Sequence, residues 1–211
     1  MGGVGSGQEI FVDQPENSGC VPFPPRNPER NSVEILRDLF GDGYYVCRFQ
    51  EPGEMEEDFD SMDTEDIFKI FLSIRDPAPP IIPKEVGMRG YPIPDSLPCW
   101  LSQESLSYYA TKFGKKGFTG GFNYFRALPL NWELTAPWSG SKVEVPSKFI
   151  TGDLDITYNI PGVKEYIHKG GFENDVVGLE EIVVIEGAAH FVNQESPEEV
   201  TKQIHEFIQK Y

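Results

Sequence analysis

Two short β-branched runs, each ending in a polar turn, constrain this chain more than any other feature. Lys148-Phe149-Ile150-Thr151 leads into Gly152-Asp153-Leu154-Asp155, and Ile182-Val183-Val184-Ile185 leads into Glu186-Gly187-Ala188-Ala189-His190. Runs of this composition read as buried strands, near 147–151 and 182–186. The stretch between them has room for one crossover helix, so the two strands can lie parallel in one sheet. Asp155 and His190 then emerge at the same carboxyl edge, where open α/β sheets bind ligands. A carboxylate that orients an imidazole for proton transfer is the chemistry such a pair offers. Taken alone, an acid and a histidine after strands are structural more often than catalytic.

The composition of the 211 residues narrows the field. With 34 acidic and 18 basic residues, the net charge is −16. That argues against nucleic acid, which needs clustered Lys and Arg, and against anionic membrane surfaces. No apolar run approaches the roughly 20 residues of a membrane-spanning helix. Cys20, Cys47 and Cys99 are odd in number and widely spaced. They fit neither a metal site nor a disulfide framework, so a reducing, cytoplasmic location is expected. The start, Met1-Gly2-Gly3-Val4-Gly5-Ser6, fits the loose myristoylation pattern. One acyl chain anchors only marginally and no polybasic stretch follows, so an irregular leader is the plainer expectation.

Residues 1–31 are rich in Gly, Pro and Asn and read as irregular, apart from a strand stub at 20–23. Residues 32–135 read as a helical block. Ser32 is a cap for a helix carrying Ile35, Leu36, Leu39 and Phe40, stopped by Gly41. Glu51 to Asp63 is a dense acidic run, read as a solvated face. Asp63 or Thr64 opens a helix with Ile67, Phe68, Ile70, Phe71 and Ile74, and a proline-rich connector follows. Further helices are predicted from Ser102 to Phe113 and from Thr119. Residues 136–211 change to a strand, helix, strand, helix pattern. The last helix starts at Ser196-Pro197-Glu198-Glu199 and carries Val200, Ile204, Phe207 and Ile208 as its stripe. His168 and His205 read as surface or packing residues. Trp100, Trp132 and Trp138 read as core or pocket lining.

Several longer phrases are shared with one family. They are Val21-Pro22-Phe23-Pro24-Pro25-Arg26-Asn27-Pro28, Tyr45-Val46-Cys47-Arg48-Phe49-Gln50-Glu51-Pro52-Gly53-Glu54 and Gly117-Phe118-Thr119-Gly120. Asn123-Tyr124-Phe125-Arg126-Ala127-Leu128, Asn131-Trp132-Glu133-Leu134 and Ala136-Pro137-Trp138 continue the match, which ends in the Asp155 and His190 turns. From about residue 21 onward the chain resembles the plant soluble epoxide hydrolases, a branch of the α/β-hydrolase fold. The order of acid then histidine is the latter part of that fold's triad. The resemblance implies a partial α/β-hydrolase fold, with a helical cap (lid) and the C-terminal strands and helices of the core. It also implies hydrolysis of epoxides to vicinal diols. An aspartate attacks the epoxide carbon to form an ester, and a histidine oriented by a second carboxylate activates the water that cleaves it. Two lid tyrosines donate to the epoxide oxygen. His190 matches the base, Asp155 its orienting acid and Tyr45 the first lid tyrosine. Phe49, Tyr124 and Phe125 fall among the substrate-contacting positions.

The chain departs from the family's pattern in two places. The family's His-Gly-Phe-Pro oxyanion loop and His-Asp-Trp-Gly nucleophile elbow lie upstream of the matching region, and the 211 residues contain neither. Asp13, the sole aspartate upstream, stands in an irregular Asp-Gln-Pro context and is not expected to replace the nucleophile. Where the second lid tyrosine is expected, this sequence has Phe125. Tyr124 does not substitute for it, because one helical residue is about 100° of rotation. The expectation is therefore a truncated epoxide hydrolase, weakly active or inactive by itself, with no cofactor and no metal. Its expected partners are a small-molecule epoxide and either a second copy or a full-length relative. Two alternatives stand beside it: a non-catalytic ligand-binding or regulatory fragment, and a haloalkane dehalogenase-like hydrolase. The phenol of Tyr45 disfavours the latter, since it serves an alkoxide better than a halide.

Overall fold

The computed structural model describes Pro22 and residues 25–211. Gly2, Asp13, Cys20 and most of the 20–23 stub lie outside the described residues. The chain divides into two units, one formed by residues 26–74 and 78–139 and the other, among described residues, by 22, 25, 75–77 and 140–211.

The first unit is helical. Helix α1 (Ser32–Phe40) is capped by Asn31 rather than Ser32. The Asn31 side chain accepts from the Glu34 amide, and Glu34 returns the bond to the Asn31 amide, a reciprocal capping box. The short α2 (Tyr45–Arg48) leads into α3 (Glu54–Asp60), and α4 (Thr64–Leu72) is capped by the carboxylate of Asp63. After the proline-rich connector come α5 (Gln103–Lys116), capped by Ser102, then α6 (Thr119–Arg126) and α7 (Leu128–Leu134).

Helix α3 occupies the acidic run, so that stretch is not simply a solvated face. Met55 and Phe59 lie one helical turn apart and point into the core with Phe49, Ile67, Ile70, Ile82, Met88 and Phe122. The acids on its other side are used too. Arg126 spans both oxygens of Glu56 at 2.7 and 2.8 Å and donates from Nε to the Phe49 carbonyl at 2.9 Å. Arg48, itself buried, pairs with Glu54. The tryptophan expectation fails at Trp138, which is 65% exposed. Trp132 is half-buried, with Arg26 lying 4.5 Å over its ring and its indole N–H donating to the Asn27 carbonyl at 2.7 Å.

The second unit carries β1 (Ser147–Gly152), α8 (Val163–His168), α9 (Gly171–Asp175), β2 (Leu179–Ile185), α10 (Val192–Glu195) and α11 (Pro197–Ile208). The strands are parallel, with Phe149 opposite Ile182, Thr151 opposite Val184 and Gly152 opposite Ile185. The crossover holds two short helices instead of one. Side-chain alternation sends Phe149, Ile182 and Val184 toward Ile167 and Phe172 of α8 and α9. Ile150 and Ile185 face Val192, Val200 and Ile204 on the other side. Helices thus cover both faces, the arrangement parallel strands require. In α11 Ser196 occupies the cap position without a side-chain cap bond, and Ile208 is exposed rather than part of the buried stripe.

The Arg126–Glu56 pair gives this fold a pH signature. The guanidinium hydrogen bond draws the Glu56 carboxyl from its ordinary 4.5 down to about 2. A depressed carboxyl stabilises the folded state fully above the unfolded value and loses that contribution as pH falls through the folded one. Glu56→Gln is therefore expected to cost about 1–3 kcal/mol at neutral pH. The deficit should shrink between pH 4.5 and 2. Chemical denaturation of both proteins across that range measures it.

Candidate active site

Asp155 lies just past the end of β1, in a turn that leaves it little freedom. Its Oδ1 accepts from the amides of Thr157 at 2.6 Å and Tyr158 at 2.9 Å. Asn159 donates through Nδ2 to the carbonyls of Asp153 and Asp155 at 2.9 and 2.7 Å, closing the turn from below. The remaining oxygen, Oδ2, lies 2.8 Å from Nδ1 of His190. Asp155 is buried, 1% exposed, and the His190 side chain is 25% exposed. A carboxylate oxygen accepts, so this contact favours the tautomer with the proton on Nδ1 and the basic lone pair on Nε2. A buried acid bonded to Nδ1 and a more open Nε2 together make a general base.

The loop carrying His190 is laid directly on the turn carrying Asp155. The amide of Leu154 donates to the Ala188 carbonyl at 3.0 Å, and the Gly187 amide donates to Oδ1 of Asp153 at 2.8 Å. Asp153 therefore braces the histidine loop and does not compete with Asp155 for the ring. Gly152 permits the approach. A Cβ at that position would lie 2.1 Å from the Ala188 carbonyl oxygen and 2.8 Å from that of Ala189.

In the helical unit, Tyr45 and Phe125 are neighbours. Their rings meet edge-on with centroids 5.7 Å apart, and Phe49 touches both. Gln50 fixes this pairing, because its Nε2 donates to the Val46 carbonyl at 2.8 Å and to the Phe125 carbonyl at 3.2 Å. Phe49 is buried in the aromatic core, whereas Tyr124 is 52% exposed. Tyr44, buried beside Tyr45, is raised above the ordinary tyrosine range, by burial first and then by the neighbouring Tyr45 phenol. Among the described residues no group of His, Cys, Asp and Glu is arranged to hold a metal ion. No helix among them is long and apolar enough to cross a membrane. His168 accepts or donates at 2.8 Å to the Tyr158 hydroxyl, and His205 pairs with Gln209 on α11.

Epoxide hydrolase 1 of Siraitia grosvenorii is 58% identical over 191 residues, which make up 90% of this chain and 60% of that protein. The structure of potato (Solanum tuberosum) epoxide hydrolase I superposes with a TM-score of 0.86 at 54% identity, over 91% of this chain and 60% of the potato chain. Over this shared span the chain is a homologue of the plant soluble epoxide hydrolases, with a partial α/β-hydrolase core and a helical cap. The epoxide hydrolase structure from Vigna radiata agrees, with a TM-score of 0.83 at 53% identity over 90% of this chain and 59% of the other. No protein-family model matches the sequence. The chain spans about 60% of the length of these family members.

Two contributors to this geometry carried no legible sequence signal. Asn159 locks the Asp155 turn, and Glu195 holds the backbone around His190 through bonds at 2.9 and 3.1 Å. The close approach at Gly152 is directly testable. Gly152→Ala places a methyl against backbone that cannot rotate away, which should cost about 1–3 kcal/mol or more. Equilibrium unfolding measures the loss. The His190 ring resonances should shift as the loop lifts from the Asp155 turn.

Proposed function

We propose that this chain supplies the hydrolytic and lid portion of an epoxide hydrolase. The observation that carries the reading is the 2.8 Å bond from His190 Nδ1 to a buried Asp155, in a chain of this family. In the proposed reaction an aspartate outside these 211 residues opens the epoxide and forms an alkyl ester. Tyr45 donates its phenolic proton to the oxygen as it becomes an alkoxide. His190 Nε2 then takes a proton from water, the resulting hydroxide attacks the ester carbonyl, and Asp155 stabilises the imidazolium. Diol and free carboxylate are the products, and the proton held by the imidazolium returns the Tyr45 phenolate to the phenol. Phe125 presents only an apolar ring edge, so ring opening relies on one phenol at this place instead of two. The substrate is a small epoxide, no cofactor takes part, and the reducing cytoplasm suits the free thiols of Cys47 and Cys99.

A second observation favours a partner. Among the described residues the sheet has two strands, and two strands alone seldom sustain an α/β core. We propose that the remaining core strands come from sequence beyond these 211 residues, in the same polypeptide or in a full-length relative.

The test is complementation. Alone, the chain should leave stilbene oxide and fatty-acid epoxides unchanged, since loss of a nucleophile from a comparable triad costs on the order of a millionfold. Joined to the amino-terminal part of a plant relative, it should form diol. His190→Asn should then stop turnover after one ester forms. Phe125→Tyr should speed ester formation, by up to roughly 100-fold. Turnover by the chain alone that His190→Asn abolishes would overturn the reading, as would ester formation indifferent to both Tyr45→Phe and Phe125→Tyr.

A further inference from the structure

The histidine loop is held by a pair of residues that stand 120 positions apart in sequence. Glu195 ends α10, and its side chain is only 6% exposed. Its two oxygens take the amides on either side of His190. Oε2 accepts from Ala189 N at 2.9 Å, and Oε1 accepts from Phe191 N at 3.1 Å. A carboxylate that grips residues i−1 and i+1 leaves the intervening residue almost no rotation about its own backbone. Oε2 also accepts from Nη1 of Arg75 at 2.9 Å, and Nη2 of the same guanidinium donates to the Gly187 carbonyl. The loop from Gly187 to Phe191 is therefore clasped at three backbone points by one ion pair.

We propose that Glu195, backed by Arg75, is a positioning residue that holds the His190 imidazole on Asp155. The inference rests on the reading of His190 as the water-activating base, yet it concerns only the His190–Asp155 hydrogen bond. Its test therefore needs no turnover. If the chemistry of the preceding subsection failed while the clasp held, the two results would be separable.

The geometry explains why a carboxylate is needed. Two backbone N–H groups and a guanidinium demand three acceptor sites on one side chain. Glutamate has about four, whereas a glutamine offers two on its single carbonyl oxygen and turns an NH2 toward a donor. The clasp is also charge-assisted, because the acceptor is an anion in a nearly dry setting and its partner a guanidinium. Glu195→Gln therefore keeps the volume and removes the function. Arg75 is 48% exposed, so Arg75→Ala tests the same clasp with less loss of packing than a change at a fully buried side chain.

The readout is the His190 ring in isotope-labelled full chain, observed by long-range 1H–15N NMR. In the native protein the Nδ1 proton should be visible and slow to exchange with water. In Glu195→Gln and Arg75→Ala the Nδ1 proton should exchange about tenfold faster or vanish, as expected for losing one charge-assisted bond from the clasp. Phe172→Leu, on the opposite face of the sheet, provides a variant that loses stability in the same unit. It should leave the Nδ1 signal as in the native chain. If Glu195→Gln fails to fold, Arg75→Ala decides the matter alone. An Nδ1 proton unchanged in Arg75→Ala, or one lost equally in Phe172→Leu, would overturn the proposal and reduce Glu195 to a packing and capping role.

Discussion

The parallel register of β1 against β2 sets Gly152 opposite Ile185, and from that pairing both turns at the carboxyl edge are placed. Three residues beyond Gly152 comes Asp155, and five beyond Ile185 comes His190. A slip of one residue would invert every side chain of a strand and part the acid from the base. The register is fixed by burial on both faces, since Phe149 and Ile150 each have a helical layer to satisfy. It is fixed again by the absent side chain of Gly152, which lets the Ala188 carbonyl lie where a Cβ would otherwise be. Packing, backbone contact and chemistry therefore converge on a few residues.

Electrostatics takes over where packing ends. The chain carries a net charge of −16, yet the acids that matter structurally are not spread loosely over a surface. Glu56 is spanned by Arg126, Glu54 is paired with Arg48, and Glu195 is paired with Arg75. The first and the last of these pairs tie together segments remote in sequence, and the second bridges neighbouring helices. In the helical unit the Arg126 clamp, together with Gln50, sets the backbone on which Phe125 and Tyr45 meet. In the other unit the Glu195 clasp sets the loop on which His190 rides. Acid loading that contributes little as bulk charge becomes useful where one arginine gathers several backbone groups.

The sequence made the two strands, their order and the Asp155–His190 pair legible, because β-branched runs and a chemistry-bearing turn are local signals. The helix starts at Ser32, Thr64, Ser102, Thr119 and Ser196 were legible to within a residue. Asn31 and Ser32 are both competent caps, and only the reciprocal bond with Glu34 chooses between them. The acidic run hid a helix because its charges outnumber the two residues, Met55 and Phe59, that drive it inward. Trp138 misled for the opposite reason, since a large aromatic ring argues for burial while its surroundings leave it open. Glu195 and Arg75 were illegible in principle. Neither has a neighbour in sequence that marks it, and their meaning arises only when the fold brings Arg75 to the histidine loop.

We propose that this chain hydrolyses an ester it does not itself form. This proposal is tested most directly by rapid-quench mass spectrometry in H2-18O, on the chain complemented by a separate amino-terminal half from a plant relative. The account predicts that the epoxide-derived adduct and, after turnover, the 18O label both appear on the complementing half, with none on the 211-residue chain. An adduct or an 18O-labelled carboxylate on this chain would contradict it.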